Sequence, residues 1–149
     1  MSIDLETART IIAAARANAV ETECKPMTIV VLDAGGHVTA VEREDGSANK
    51  RFEIARAKAH GALSLGLGSR ALMARAEQQP YFIAAATSAI GGALVPVPGG
   101  VLVRDGDRLV GAVGVSGDTS EQDELAAVAG VKAAGLEPDI GQNPEWRRP

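Results

Sequence analysis

Alanine and glycine supply 44 of the 149 residues, 27 and 17 respectively, and this excess constrains the fold more than any single motif does. Small residues bury little area, and burial stabilises by roughly 25 cal/mol per Å². A chain of this kind must bring its backbones close together or bury further surface against other chains, so a homo-oligomer is expected. The length suits one domain and is short for two.

Composition removes several classes of function. The net charge is −4 and the four aromatics are Phe52, Tyr81, Phe82 and Trp146, so neither a basic footprint nor a stacking platform for nucleic acid is present. The most apolar stretch, 81–103, is interrupted by Pro96, Pro98 and four glycines, which does not suit a membrane span. Asp4 and Glu6 precede the first apolar residues in place of a basic leader, and a cytoplasmic protein is expected. Cys24 is the single cysteine, so no internal disulfide or multi-cysteine metal site can form.

Periodicity predicts the elements. Asp4 can cap a helix over about residues 4–22, with Leu5, Ala8, Ile12, Ala15 and Ala19 on one face. Residues 27–32 and 37–42, joined through Asp33-Ala34-Gly35-Gly36, read as a hairpin. A long helix over about 49–66 carries Phe52, Ala55, Ala59, Ala62 and Leu63 on its apolar face, with Glu53, Arg56 and His60 on the flank. Ser69 can cap a short helix through Glu77, and Pro80 can start another. Asp105-Gly106 turns a second hairpin between 101–104 and 108–115, in which Gly111 and Gly114 indicate close backbone approach. A last helix over about 120–134 spaces Leu125, Val128 and Val131 three apart, and an extended tail follows from Glu137. The expected architecture is α+β: a single-layer antiparallel sheet flanked by helices, with residues 1–136 as the domain and 137–149 as the tail.

Motifs for common chemistries are missing. The glycines of Gly111–Gly117 fall at i, i+3 and i+6, which is not a dinucleotide fingerprint, and no phosphate loop occurs. Ser116 lacks the spacing of a nucleophile elbow. His37 and His60 are the only histidines and form no paired metal motif; His37 reads as a polar turn residue. His60, beside Arg56 and Glu53 at a boundary between core and solvent, can act as acid, base or iron ligand. The pairs Gly91-Gly92 and Gly99-Gly100 can present amides to an anion, and Arg43 or Lys58 can hold a carboxylate.

The order of these pieces along the chain resembles the GlcG/HbpS-like family of haem-binding or haem-degrading proteins, which is related to the C-terminal domain of PduO-type cobalamin adenosyltransferases. The matching segments are Val31–Val38, Arg43–Ser47, Ala55–Ala59, Pro98–Val101 and Gly111–Gly117 followed by Gln122-Asp123. The resemblance implies a profilin-like layer of antiparallel sheet and helices, dimers assembled into higher oligomers such as octamers, and haem or small-molecule binding. It also implies neighbourhood to catabolic functions. Carried over by position, it places the site around Lys58, the Pro98-Gly99-Gly100 loop and Arg43. Members commonly show Lys-Ala-x-Thr-Ala where this chain has Lys58-Ala59-His60-Gly61-Ala62: Gly61 supplies no hydroxyl, and His60 brings an imidazole. Two functions follow. One is haem binding, with His60 as axial ligand and Arg43, Arg56 or Lys58 on the propionates. The other is a cofactor-independent isomerase or lyase on a small carboxylated or carbonyl metabolite, with His60 or Glu53 as acid/base and Arg43, Lys58 and the Gly99-Gly100 amides holding the anion.

Overall fold

The computed structural model describes residues 2–141. The elements run α1 (Leu5–Glu21), β1 (Thr28–Asp33), β2 (Val38–Arg43), α2 (Arg51–Leu65), α3 (Ser69–Gln78), α4 (Pro80–Ala89), β3 (Gly100–Asp105), β4 (Arg108–Ser116), α5 (Ser120–Ala133) and β5 (Glu137–Asp139). Both expected hairpins form, and they join through antiparallel pairing of β1 with β4, giving the order β2-β1-β4-β3-β5. The α+β class and the single antiparallel layer are as the sequence implies.

Alternation along the strands feeds two cores. Ile29, Val31, Val101, Val103, Val113 and Val115 pack with Ile11, Ile12 and Ala15 of α1 and with Ala126, Ala127 and Val131 of α5. Val30, Leu32, Leu102 and Ala112 point the other way, onto Ala55, Ala59 and Ala62 of α2. Leu72, Ile83 and Leu94 form a third, smaller cluster beneath α3 and α4.

Small residues make these layers possible. A Cβ on Gly114 would overlap the Ala55 carbonyl of α2, and one on Gly111 would overlap the Leu32 carbonyl of β1. Gly130 on α5 lies against α1, where a Cβ would come 2.5 Å from the Ile11 oxygen. The expected helix faces hold at Ala8, Ile12, Ala15, Ala19 and Val131, all buried, and are corrected at Leu5 and Leu125. Leu5 is 53% and Leu125 50% exposed, while Ile11, Ala126 and Ala127 are buried, because α1 and α5 meet along the side where a glycine allows close approach. Asp4 caps α1 as expected, accepting from the Thr7 amide at 2.8 Å. Ser69 does not act as a cap: Gly68 occupies that position, and the buried Ser69 hydroxyl accepts from the Gly100 amide at 2.7 Å. Beyond Gly135, residues Glu137–Asp139 pair with β3 and widen the sheet; the remainder of the predicted tail, from residue 142, lies outside the described residues.

Candidate functional site

The residues singled out from the sequence fall into two groups, one on each flank of α2. On the β3 flank, Lys58 is buried, 2% exposed. Its ammonium donates to the Val115 carbonyl at 2.9 Å and to Asp123 Oδ2 at 3.0 Å. The other Asp123 oxygen accepts from the Asp118 amide at 2.9 Å. Pro98, Gly99 and Gly100 close over this pair; a Cβ on Gly99 would come 2.8 Å from Lys58 Nζ, and one on Gly100 would overlap the Lys58 carbonyl. Lys58, expected to hold a carboxylate of the ligand, instead pairs with Asp123 inside the chain. Gly100 N–H is committed to Ser69, and Gly99 O accepts from the Val115 amide at 2.9 Å, so the loop acts here as packing.

Burial dominates both titrations. It pushes the Lys58 ammonium below its ordinary 10.5 against the pull of Asp123, and it raises the Asp123 carboxyl above its ordinary 3.8 against the pull of Lys58. Above 3.8 the folded chain holds the Asp123 proton longer than the unfolded chain does, so stability falls as pH rises through that window. Below 10.5 it gives up the Lys58 proton sooner, so stability is regained as pH climbs towards that value. Urea midpoints across this range are expected to pass through a minimum that is absent from a Lys58→Met/Asp123→Leu variant. A flat wild-type profile would refute the assignment.

The other flank of α2 faces the edge strand. Phe52 and Leu63 pack against the Val30 and Leu32 cluster, and Leu63 reaches Gly36 at the start of the hairpin's second arm. Arg56 lies between them on the same stripe, with Glu53 and His60 one step further from the sheet. On β2, Val38 pairs with Leu32, Val41 with Val30 and Arg43 with Thr28, so all three point to the side of the sheet on which α2 lies. α2 sits over β1, β4 and β3, leaving Val38 46% and Val41 36% exposed. The uncovered face of β2, with Val38 and Val41, and the adjoining flank of α2, with Arg56, His60 and Glu53, make an open shelf, and Arg43 stands at the end of β2 on the same side of the sheet. Arg43 donates to the Ser47 carbonyl at 2.5 Å. Among the described residues the side chains of Glu53 and Arg56 make no hydrogen bond or ion pair, so none joins Glu53 to His60.

His60 is held from outside the helix. Its Nδ1 lies 2.8 Å from the Ala93 carbonyl, which only accepts, so the neutral ring carries its proton on Nδ1 and keeps the Nε2 lone pair. Leu94 fixes the strap that brings Ala93 there, since its backbone and side chain press on Gly61, where a Cβ would come 2.8 Å from Leu94 Cγ. Gly61 thus has a packing role, since any side chain there would displace the strap that carries Ala93. His37, by contrast, is tied to Asp33 at 3.1 Å and is 80% exposed in its side chain; it precedes Val38 and so belongs to the other face of the sheet.

Sequence reasoning missed Asp123, Ala93, Val38 and Val41. Asp123 stands in the matching segment Gln122-Asp123, yet a first-turn acid reads as a helix-start preference, and its partner is 65 residues away.

Among the described residues no helix is long and apolar enough to cross a membrane. Residues 3–132 match the family described as haem degrading protein HbpS-like, and the chain belongs to that family. Its fold is shared with ORFY of Klebsiella pneumoniae, at 28% identity, 89% of this chain and 90% of that one, with a TM-score of 0.81. HbpS matches at 26% identity, 89% of each chain and a TM-score of 0.77. A structure of PduOC in complex with haem matches at 23% identity, 93% of this chain and 99% of that one, with a TM-score of 0.83, a likeness of fold. Among curated proteins no sequence matches significantly.

Proposed function

We propose that this protein binds haem, or a closely related tetrapyrrole, on the shelf between α2 and β2, and does so as a homo-oligomer. The observation that carries the proposal is the His60 ring, whose Nδ1 is committed to the Ala93 carbonyl at 2.8 Å at the border of an uncovered apolar strand face. A backbone carbonyl that accepts from Nδ1 is how proteins orient an imidazole that ligates metal through Nε2. The remaining residues suit the same ligand. Val38 and Val41 offer apolar surface to a flat macrocycle, and the guanidinium groups of Arg43 and Arg56 suit carboxylates such as propionates. Haem, when bound, supplies a redox-active iron. This chain's own part is to bind and orient: His60 holds the metal, the valines cover one face, and the arginines fix the carboxylate edge. Lys58, Pro98, Gly99 and Gly100 contribute by holding α2 in place.

Titrating the purified protein with haemin tests the reading. A Soret shift is expected, and His60→Ala should weaken binding by at least about tenfold, with the protein still folded because His60 lies outside the core clusters. Absence of any shift in the wild-type protein overturns it. Turnover of a carboxylated metabolite without added haem, abolished in His60→Ala, would move the assignment to acid–base catalysis on the same shelf.

A further inference from the structure

Three neighbouring strands end in a row of polar residues where α2 begins. Arg43 of β2 pairs with Thr28 of β1, and Thr28 pairs with Ser116 of β4. Residues directly opposite share a face, so the three side chains stand abreast on the α2 side, about one strand spacing apart. Ser47 and Arg51 complete the group. The Ser47 hydroxyl lies 2.9 Å from that of Thr28, and the Arg51 guanidinium donates to Ser116 Oγ at 3.0 Å. Thr28, Ser47 and Ser116 are buried, Arg51 is half-buried and Arg43 is exposed, so the corner opens to solvent at Arg43.

The hydrogen bonds of this corner leave donors over. A guanidinium only donates, so Ser116 accepts from Arg51 and its own hydroxyl proton has no acceptor. Of the Thr28 and Ser47 hydroxyls one donates to the other, which leaves a second buried proton unspent. Arg43 and Arg51 each commit an N–H group, to the Ser47 carbonyl and to Ser116. Neither has a carboxylate partner among the described residues. Lys58 stands near enough for Arg51 to disfavour its charge, but Asp123 already neutralises it. The first turn of α2 also lacks a side-chain cap, so the positive end of its dipole lies beside Arg51. Buried donors without acceptors are costly, and here they stand next to two uncompensated positive charges.

We propose that this corner binds an oxyanion of about two negative charges, a phosphate monoester in chemical class, within a single chain. Arg43 and Arg51 match its charge. Two N–H groups from each guanidinium and the two hydroxyl protons make six donors for three terminal oxygens, each accepting two. A single carboxylate brings one charge and two oxygens and leaves donors unspent. The site lies about 13 Å along α2 from His60 and does not draw on the haem reading, with which it shares Arg43.

Calorimetric titration of the haem-free protein with inorganic phosphate at low ionic strength tests the proposal. The chain carries a net charge of −4, so general attraction gives no phosphate binding and a saturable isotherm requires a built site. One phosphate per chain is expected, with malonate at least about tenfold weaker. Arg51→Gln should weaken phosphate about tenfold, and Ser116→Ala, which keeps both charges, about fivefold. Arg9→Gln, the same charge change at an exposed position on α1, should leave binding unchanged. Arg51→Lys keeps the charge but loses the fork and should also weaken binding, which provides the geometric test if Ser116→Ala does not fold. No saturable phosphate binding, or equal losses in Arg9→Gln and Arg51→Gln, overturns the site. Malonate binding tighter than phosphate overturns the phosphate class, and full affinity in both Ser116→Ala and Arg51→Lys overturns the assigned contacts. Haem is absent throughout, so failure here leaves the haem reading untouched.

Discussion

Gly114→Ala is expected to destabilise the protein by about 3 kcal/mol or more, the upper end of what overpacking costs. The methyl group would overlap the Ala55 carbonyl, with the Ala59 Cβ 3.1 Å away, and neither atom sits on a flexible side chain that can swing aside. To make room α2 must lift from β4, which loosens Ala55, Ala59 and Ala62 together and tilts the wall on which His60 and Arg56 stand. Gly106→Asn is the control. Nothing lies within 4 Å of a Cβ at Gly106, whose φ of +63° asparagine tolerates, so a change within about 1 kcal/mol is expected. Urea denaturation of the two variants decides the point; equal midpoints would mean that the close contact of α2 with the sheet does not limit the fold.

The second large effect is expected at Asp123. Asp123→Ala leaves Lys58 buried with only the Val115 carbonyl as partner and removes the acceptor of the Asp118 amide. Breaking a buried pair from one side costs about 3–5 kcal/mol, whereas replacing both partners by apolar groups of similar volume is often neutral. Lys58→Met/Asp123→Leu is therefore expected to be more stable than Asp123→Ala, even though it carries one more substitution. If the double variant is the less stable of the two, the pair contributes through specific hydrogen bonds for which apolar packing does not substitute. Arg51, which donates to Ser116 at 3.0 Å and disfavours the charge on Lys58, adds to the expected difference, because it repels a Lys58 left without Asp123.

Much of the fold was legible because its signals are local. Asp4 before an apolar periodicity, Asp105-Gly106 between alternating runs, and Gly111 and Gly114 inside a strand each state a backbone requirement at the residue itself. The buried face of α1 is legible at Ala8, Ile12, Ala15 and Ala19, whereas Leu5 and Leu125 mislead, because their size marks them as core while they lie exposed. Here the buried side is set by Gly130 and by alanines, which carry almost no amphipathic signal. The site was legible in part. His60, Arg56 and Glu53 share a stripe by helical spacing alone, and Arg43 joins them through strand register. That Lys58 belongs to a different, sealed group depends on Asp123 and on the Gly99-Gly100 crossing, contacts between distant parts of the chain that no local pattern encodes. The same holds for Ala93, whose carbonyl orients His60 across 33 residues.

The most direct test of the central claim is the map of backbone amide resonances in isotope-labelled protein as ferric haem is added. Paramagnetic broadening is expected at Val38–Arg43 and along α2 from Phe52 to Leu63, with α1 and the hairpin between β3 and β4 unaffected. Broadening confined to surfaces away from α2 and β2, or haem binding that leaves the His60 region unchanged, would contradict the assignment of the shelf.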